Sequence, residues 1–180
     1  MVIVARLKKK NMAAPTQIAI VAAGCFWGVE HYFIKNFGEK LVSTAVGYTG
    51  GAAEDPTYKL VCTGKTGHAE AVKIEFKPDQ VSFEDLVRYF FRIHDPTTLN
   101  RQQGDHGTQY RSGIYYLSPE QQKIAETVKL EVTPKWTELR PGAQIVTEIL
   151  PAGKWYDAEE YHQKYLINNA GGYCSHRVYW

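Results

Sequence analysis

Residues 18–38 read IAIVAAGCFWGVEHYFIKNFG, and the hydrophobic pattern changes period inside them. Ile18 to Ala23 is an unbroken apolar run closed by Gly24, the pattern of a buried strand. From there Phe26, Val29, Phe33 and Phe37 recur at helical spacing, and Gly38 stands where a helix ends. Cys25 therefore falls on a strand-to-helix turn, between a glycine and two large aromatics.

Working outward, Leu41 to Tyr48 is rich in β-branched residues and predicts a second strand. GYTGGAAEDPTY, dense in Gly, Asp and Pro, predicts a loop, and EAVKIEF alternates Val72, Ile74 and Phe76 with Lys73 and Glu75, as a half-buried strand does. Ser82 with Asp85 three residues on resembles a capping box, opening a helix striped by Phe83, Leu86, Val87, Phe90 and Phe91. That helix stops near HDP, because Pro96 pushes Asp95 out of helical geometry. TTLNRQQGDHGTQYRS is a long aperiodic polar segment, of the kind more often functional than idle. GIYYL predicts a strand. Ser118, Pro119 and Gln121 then predict a helix start, with an end near Val132 ahead of Pro134. Gln144 to Leu150 predicts another strand, and Asp157 with Glu160 predicts the cap of a last helix running to about Asn168. The tail AGGYCSHRVYW is glycine-led and irregular.

The order up to Leu117 is β-α-β-β-α-β, the split βαβ unit. The expected fold class is α+β: a two-layer ferredoxin-like core with an additional strand and helices and an irregular C-terminal tail. The expected organisation is a flexible leader over 1–15, one catalytic domain over 16–168, and a tail over 169–180.

Composition narrows the function. The chain has 180 residues, 44% hydrophobic and 22% charged, with a formal net charge of +2, ordinary for one globular domain. No clustered basic excess points to nucleic acid. Three scattered cysteines, Cys25, Cys62 and Cys174, form no C-x-x-C pair and no disulfide scaffold, which favours a reducing, cytoplasmic home. The apolar part of MVIVARLKKKNMAAPTQ is too short for a signal-peptide core or a membrane span. Its basic run reads as a disordered leader, with organelle targeting or a start at Met12 as alternatives. Nothing reads as a coiled coil, so a monomer is the default.

A helix N-terminus lowers a thiol pKa by presenting unpaired N–H groups and the positive end of the dipole. Cys25 holds that position, and Gly24 and Gly28 leave room for backbone near the sulfur. A buried, inert strand-end cysteine fits the position equally well. Phe26 fits the apolar stripe, whereas Trp27 is left over: an apolar wall for a small substrate group, or packing under the long loop at 95–112. His94, Asp95, Asp105 and His106 cluster in the sequence, but their spacing matches no standard metal pattern, and hydrogen-bonding roles for His68, His94, His106 and His162 are preferred.

GCFWG resembles the active-site signature of the methionine sulfoxide reductase A family. GYTGG, DPTY, TGHAEAV, HDPTT, DHGTQYRS, YDAEEYHQKYL and GGYC resemble the family's further blocks, in the same order, from about Ile18 to Cys174. The resemblance implies reduction of the S epimer of methionine sulfoxide, free or in proteins, as oxidative-damage repair. It implies that Cys25 is the nucleophile, Glu70 the acid, Tyr58 and Tyr110 the oxygen-binding hydroxyls, Phe26 and Trp27 the wall against the S-methyl group, and Asp105 a supporting carboxylate. It implies that Cys174 is the resolving thiol, with thioredoxin as external reductant and no bound cofactor or metal. Many family members carry a further relay cysteine that has no counterpart after Cys174 here, so a direct Cys25–Cys174 disulfide is expected. Cys62, following an apolar pair, is expected to be buried and inert.

The residue types suit that chemistry. A sulfoxide oxygen leaves only if it is protonated, and a carboxyl donates near neutral pH only if burial keeps it protonated. Tyrosine hydroxyls can stabilise the oxygen as charge develops. Residue by residue, solvated or packing roles for Glu70, Tyr58, Tyr110 and Asp105 stay open, as do two other functions: a cysteine hydrolase with a histidine base, and a non-catalytic redox-sensing module that binds oxidised methionine.

Overall fold

The computed structural model describes residues 15–180, and all but the last residue of the expected leader lies outside them. In chain order the elements are β1 (Gln17–Ala23), α1 (Phe26–Phe37), β2 (Leu41–Thr49), α2 (Tyr58–Val61), β3 (Ala69–Phe76), α3 (Phe83–Ile93), β4 (Arg101–Gln102), β5 (Asp105–His106), β6 (Ser112–Tyr116), α4 (Pro119–Leu139), β7 (Glu148–Pro151), β8 (Tyr156–Asp157) and α5 (Tyr165–Asn168). One six-stranded sheet runs β7-β6-β1-β3-β2-β8, and β4 pairs with β5 separately. Its middle four strands, all antiparallel, are the ferredoxin-like core that the β-α-β-β-α-β order predicts.

β1 is central, facing Val72 of β3 and Ile114 of β6 across Val21. Its unbroken apolar run follows from burial on both faces. Ala19, Val21 and Ala23 join the main core with Val72, Ile74, Phe76 and Ile114, and α1 and α3 close that face through Phe26, Val29, Phe33, Leu86 and Phe90. Ile20 and Ala22 pack on the opposite face with Ala69, Ala71 and Tyr115 under Trp155. The capping box of α3 forms as its sequence predicts: Asp85 N–H donates to Ser82 Oγ and Ser82 N–H to Asp85 Oδ2, both at 3.0 Å.

Four local expectations are corrected. α4 does not stop before Pro134 but continues to Leu139 with the proline inside it. Pro134 leaves the Leu130 carbonyl without its helical donor, and Leu130 lies on an exposed flank where water can serve instead. Trp136 then holds the last turn, its ring fully buried and its Nε1–H on the Phe91 carbonyl at 3.1 Å. The strand expected over 144–150 pairs only from Glu148, because Val146 N–H bonds Pro96 O and Thr147 Oγ1 bonds Ser112 Oγ instead. The last helix does not start at Asp157. That residue extends the edge of β2, a 3₁₀ turn spans Glu160–His162, and Lys164 takes φ +54, which interrupts any continuous helix. Lys164 is held there by the buried carboxylate of Glu30, which accepts its backbone N–H at 2.9 Å and its ammonium at 2.7 Å. Finally, the loops expected over 47–58 and 97–112 carry structure of their own: α2 begins at Tyr58, and the longer loop folds as the β4–β5 hairpin and a 3₁₀ turn over Thr108–Tyr110.

Truncating Trp136 to Ala removes the anchor of the α4 C-terminus and should cost about 3–5 kcal/mol of folding free energy. Urea denaturation measures this, and a loss below about 1 kcal/mol, the scale of one ordinary hydrogen bond, would show that the turn is held by other contacts.

Candidate active site

β1 ends at Ala23, and Gly24 beyond it, with a φ of +95, turns the chain so that Cys25 becomes the N-cap of α1. The Trp27 and Gly28 N–H groups point at the sulfur and favour the thiolate, as the helix-start reading requires. They do not decide the outcome. Cys25 is only 8% exposed. Burial first, and the nearby Glu70 carboxylate second, push the thiol well above its ordinary value. Of the two readings open at this position, burial outweighs the helix start, and Cys25 rests as a protonated thiol.

Glu70 lies on β3 opposite Tyr48, and it shares the helix-covered face with Val72, Ile74 and Phe76. It is not a solvated strand end, being 1% exposed. Its Oε2 accepts the Phe26 N–H at 3.1 Å, which ties the carboxyl to the residue after Cys25. Burial raises its pKa from 4.5 to about 8, against the lowering effect of the Phe26 N–H and with a small addition from Asp105. Glu70 is therefore mostly a neutral acid at pH 7. Tyr58, the first residue of α2, and Tyr110, the last of the Thr108–Tyr110 turn, stand half-buried around it. Burial, then the charge of Glu70, raises both hydroxyl pKa values, so both remain hydrogen-bond donors across the physiological range.

Phe26 is fully buried and Trp27 half-buried. The Trp27 indole does not pack under the 95–112 loop. It stacks on Tyr165 with centroids 3.8 Å apart, and its Nε1–H donates to His162 Nδ1 at 3.1 Å. His162 also packs against Phe26 and Tyr58, at 5.2 and 4.5 Å. Burial lowers the His162 pKa, so the ring stays neutral and its Nδ1 can accept. Glu159 fastens the same corner, accepting Tyr58 N–H and the Tyr48 hydroxyl at 2.8 Å each.

A buried thiol, a buried carboxyl, two tyrosine hydroxyls and a cluster of aromatic rings thus meet at one end of the sheet. Comparison with known proteins identifies the family of the chain. The family profile described as "Peptide methionine sulfoxide reductase" matches residues 17–179. The chain belongs to that family. A "Probable peptide methionine sulfoxide reductase" of Schizosaccharomyces pombe is 53% identical over 168 residues, covering 91% of this chain and 97% of that protein. "Peptide methionine sulfoxide reductase MsrA" of Pasteurella multocida is 52% identical, covering 89% and 88%. The reduced form of Mxr1 from Saccharomyces cerevisiae superposes with a TM-score of 0.85 at 38% identity, covering 97% and 99%; Mxr1 in complex with Trx2 superposes at 0.62 and 30%, covering 94% and 96%. The activity is reduction of methionine sulfoxide by an oxidoreductase of the MsrA type.

The other residues singled out in the sequence are distributed unevenly around this reductase site. Asp105, on β5, spends both oxygens on the tail: Oδ1 accepts the Tyr173 hydroxyl at 3.2 Å and Oδ2 the Ser175 hydroxyl at 3.1 Å. Cys174, between those two residues, is exposed beside Tyr32, and all three cysteines are free. Cys62 is not buried as expected; at the C-cap of α2 it is exposed, next to the Tyr58 hydroxyl. The four residues weighed as metal ligands turn to separate partners. His94 bonds Phe90 O and Ser112 Oγ at 2.7 Å each, Asp95 takes Arg140, Asp105 holds the tail, and His106 is exposed. His68 braces the 50–53 loop through Gly51 N–H and Ala53 O. The hydrogen-bonding role preferred for His162 is borne out by its bond from Trp27, whereas Glu159 was not singled out in the sequence, where its segment reads as a helix.

The raised pKa of Glu70 also predicts a pH dependence of stability. The native carboxyl keeps a proton that the unfolded chain releases near its ordinary value. Stability from this group is complete below about 4.5 and falls as pH rises towards about 8. Glu70→Gln should lack that slope. Denaturation midpoints measured across this window check it, and parallel pH profiles for the two proteins would refute a buried, protonated Glu70.

Proposed function

We propose that the chain reduces the S epimer of methionine sulfoxide, free or in proteins, through a Cys25 sulfenic acid and then a Cys25–Cys174 disulfide recycled by thioredoxin, as oxidative-damage repair. The observation that carries this reading is the buried Glu70 carboxyl hydrogen-bonded to the Phe26 N–H beside Cys25, where burial favours its protonated form. Glu70 gives its proton to the sulfoxide oxygen while Tyr58 and Tyr110 donate hydrogen bonds to it, and the buried Cys25 passes its own proton to the Glu70 carboxylate. In net terms thiol and sulfoxide become sulfenic acid and thioether: the S=O bond breaks, an S–OH bond forms on Cys25, and the substrate sulfur is reduced. Because the sulfoxide sulfur is a stereocentre, a thiol, an oxygen-binding pair and an aromatic wall in fixed directions can suit only one epimer. The family resemblance supports S.

The sulfenic acid then condenses with the Cys174 thiol, forming the disulfide and releasing water. Cys174 is exposed and lies two residues before His176, whose ring bonds the Ala23 carbonyl of the turn that carries Cys25, which supports that role, and the Mxr1 complex with Trx2 supports a thioredoxin as the dithiol that reduces the disulfide.

Reduced protein mixed with S-epimer methionine sulfoxide, without reductant, should form one methionine per chain and lose two thiols. The R epimer should yield none. Cys174→Ser should still form one methionine but stop turning over with thioredoxin. Absence of methionine with the S epimer would overturn the reading, and normal recycling by Cys174→Ser would overturn the resolving assignment.

A further inference from the structure

His176 lies two residues beyond Cys174 and is buried, although the tail around it is mostly exposed. Its ring enters the turn that carries the nucleophile. Nε2 bonds the Ala23 carbonyl at 2.7 Å, two residues before Cys25. A carbonyl can only accept, so Nε2 carries the hydrogen, and burial lowers the ring's pKa, which keeps it neutral. Nδ1 faces Gly28, three residues after Cys25, so closely that a Cβ there would meet it at 2.2 Å. The seat therefore exists only because position 28 has no side chain. On the Gly24 side it is bounded by Gln102, which bonds the Asp95 backbone through both ends of its amide. The His176 carbonyl is held in turn by the Tyr32 hydroxyl at 3.0 Å, from the exposed side of α1.

This ring joins the two ends of the proposed redox reaction. One end of the contact is the backbone at 23–28, which frames Cys25. The other is a segment whose preceding residues, Tyr173 and Ser175, are hydrogen-bonded to Asp105 on either side of Cys174. The Asp105 bonds are part-exposed and easily exchanged with water, whereas the imidazole is enclosed.

We propose that His176 is a positioning residue for disulfide formation: its seated ring keeps the tail docked on the nucleophile turn, so that Cys174 stays within reach of the Cys25 sulfenic acid. This rests on the Cys25–Cys174 chemistry proposed above. The step it serves joins Cys25–S–OH and Cys174–SH as a disulfide and releases water. His176 exchanges no proton with either sulfur in this role. It acts on the encounter of two groups, where small displacements weigh heavily on rate.

The test separates the two chemical steps by rapid quenching of reduced protein with S-epimer methionine sulfoxide, reading methionine formed and thiols remaining. In the wild type, one methionine and the loss of two thiols must appear first; failure there overturns the disulfide reading itself, before any variant is considered. Against that reference, His176→Ala should form its one methionine at the wild-type rate but lose the second thiol about tenfold more slowly or worse, and a sulfenic-acid-reactive dione should label Cys25 in the interval. His176→Gln, which keeps an N–H able to reach the Ala23 carbonyl, should restore most of the rate. Tyr32→Phe, which removes only the hydroxyl on the His176 carbonyl, should slow the second step by less. Second-thiol loss at the wild-type rate in His176→Ala would overturn the proposal. So would an equal slowing of both steps, which would mark the ring as merely structural.

Discussion

The site depends on one hydrogen bond across the sheet–helix boundary, from the Phe26 N–H at the start of α1 to the Glu70 carboxyl on β3. Pairing of β1 with β3 brings the two together, since the end of β1 leads into α1 while Glu70 faces up from the neighbouring strand. A helix start has N–H groups without internal partners, and a buried carboxyl lacks water to solvate it. Each supplies what the other needs. The bond does not ionise the acid, because a single N–H in a dry site compensates only part of the lost hydration, and Glu70 stays proton-bearing up to about pH 8. The same burial holds Cys25 as a thiol. Two neutral groups near one another avoid the repulsion between a carboxylate and a thiolate.

Much of this was legible in the sequence where local chemistry decides structure. The apolar run into Gly24, the stripe of Phe26, Val29, Phe33 and Phe37, and the Ser82–Asp85 box each carry their own physical signal and form as read. The readings that failed were decided by distant partners. Pro134 stops a helix only when nothing else holds the turn beyond it, and Trp136 is held by Phe91 from another helix. Asp157 looks like a cap until Val46 on the edge of β2 accepts the Ala158 N–H. Lys164 adopts a left-handed conformation only because Glu30 and Thr44 receive it. None of these partners lies within a helical turn of the residue it governs.

The site divides in the same way. Cys25 could be placed from its turn, but the sign of its pKa shift could not, because helix-end stabilisation is local whereas burial is a property of the assembled core. Glu70 read as a strand end, and only the pairing of β3 shows that its side chain faces the helix layer. For Tyr58, Tyr110 and Asp105 only the family resemblance suggested more than a packing or solvated role. His162 lay inside a block of that resemblance, yet its acceptance of the Trp27 N–H needs the 3₁₀ turn that replaced the expected helix.

The two glycines around Cys25 show how backbone economy links these layers. Gly24 is required by its positive φ, a local demand. Gly28 sits inside a helix, where glycine costs roughly 1 kcal/mol relative to alanine, and nothing in its own element asks for it. Its reason is external: the His176 ring occupies the space that its Cβ would fill. A helix-weakening residue at the first turn of α1 is thus compensated by enclosing a side chain from the far end of the chain. The packing ties the geometry around Cys25 to the segment bearing Cys174 through contacts that neither segment's sequence discloses.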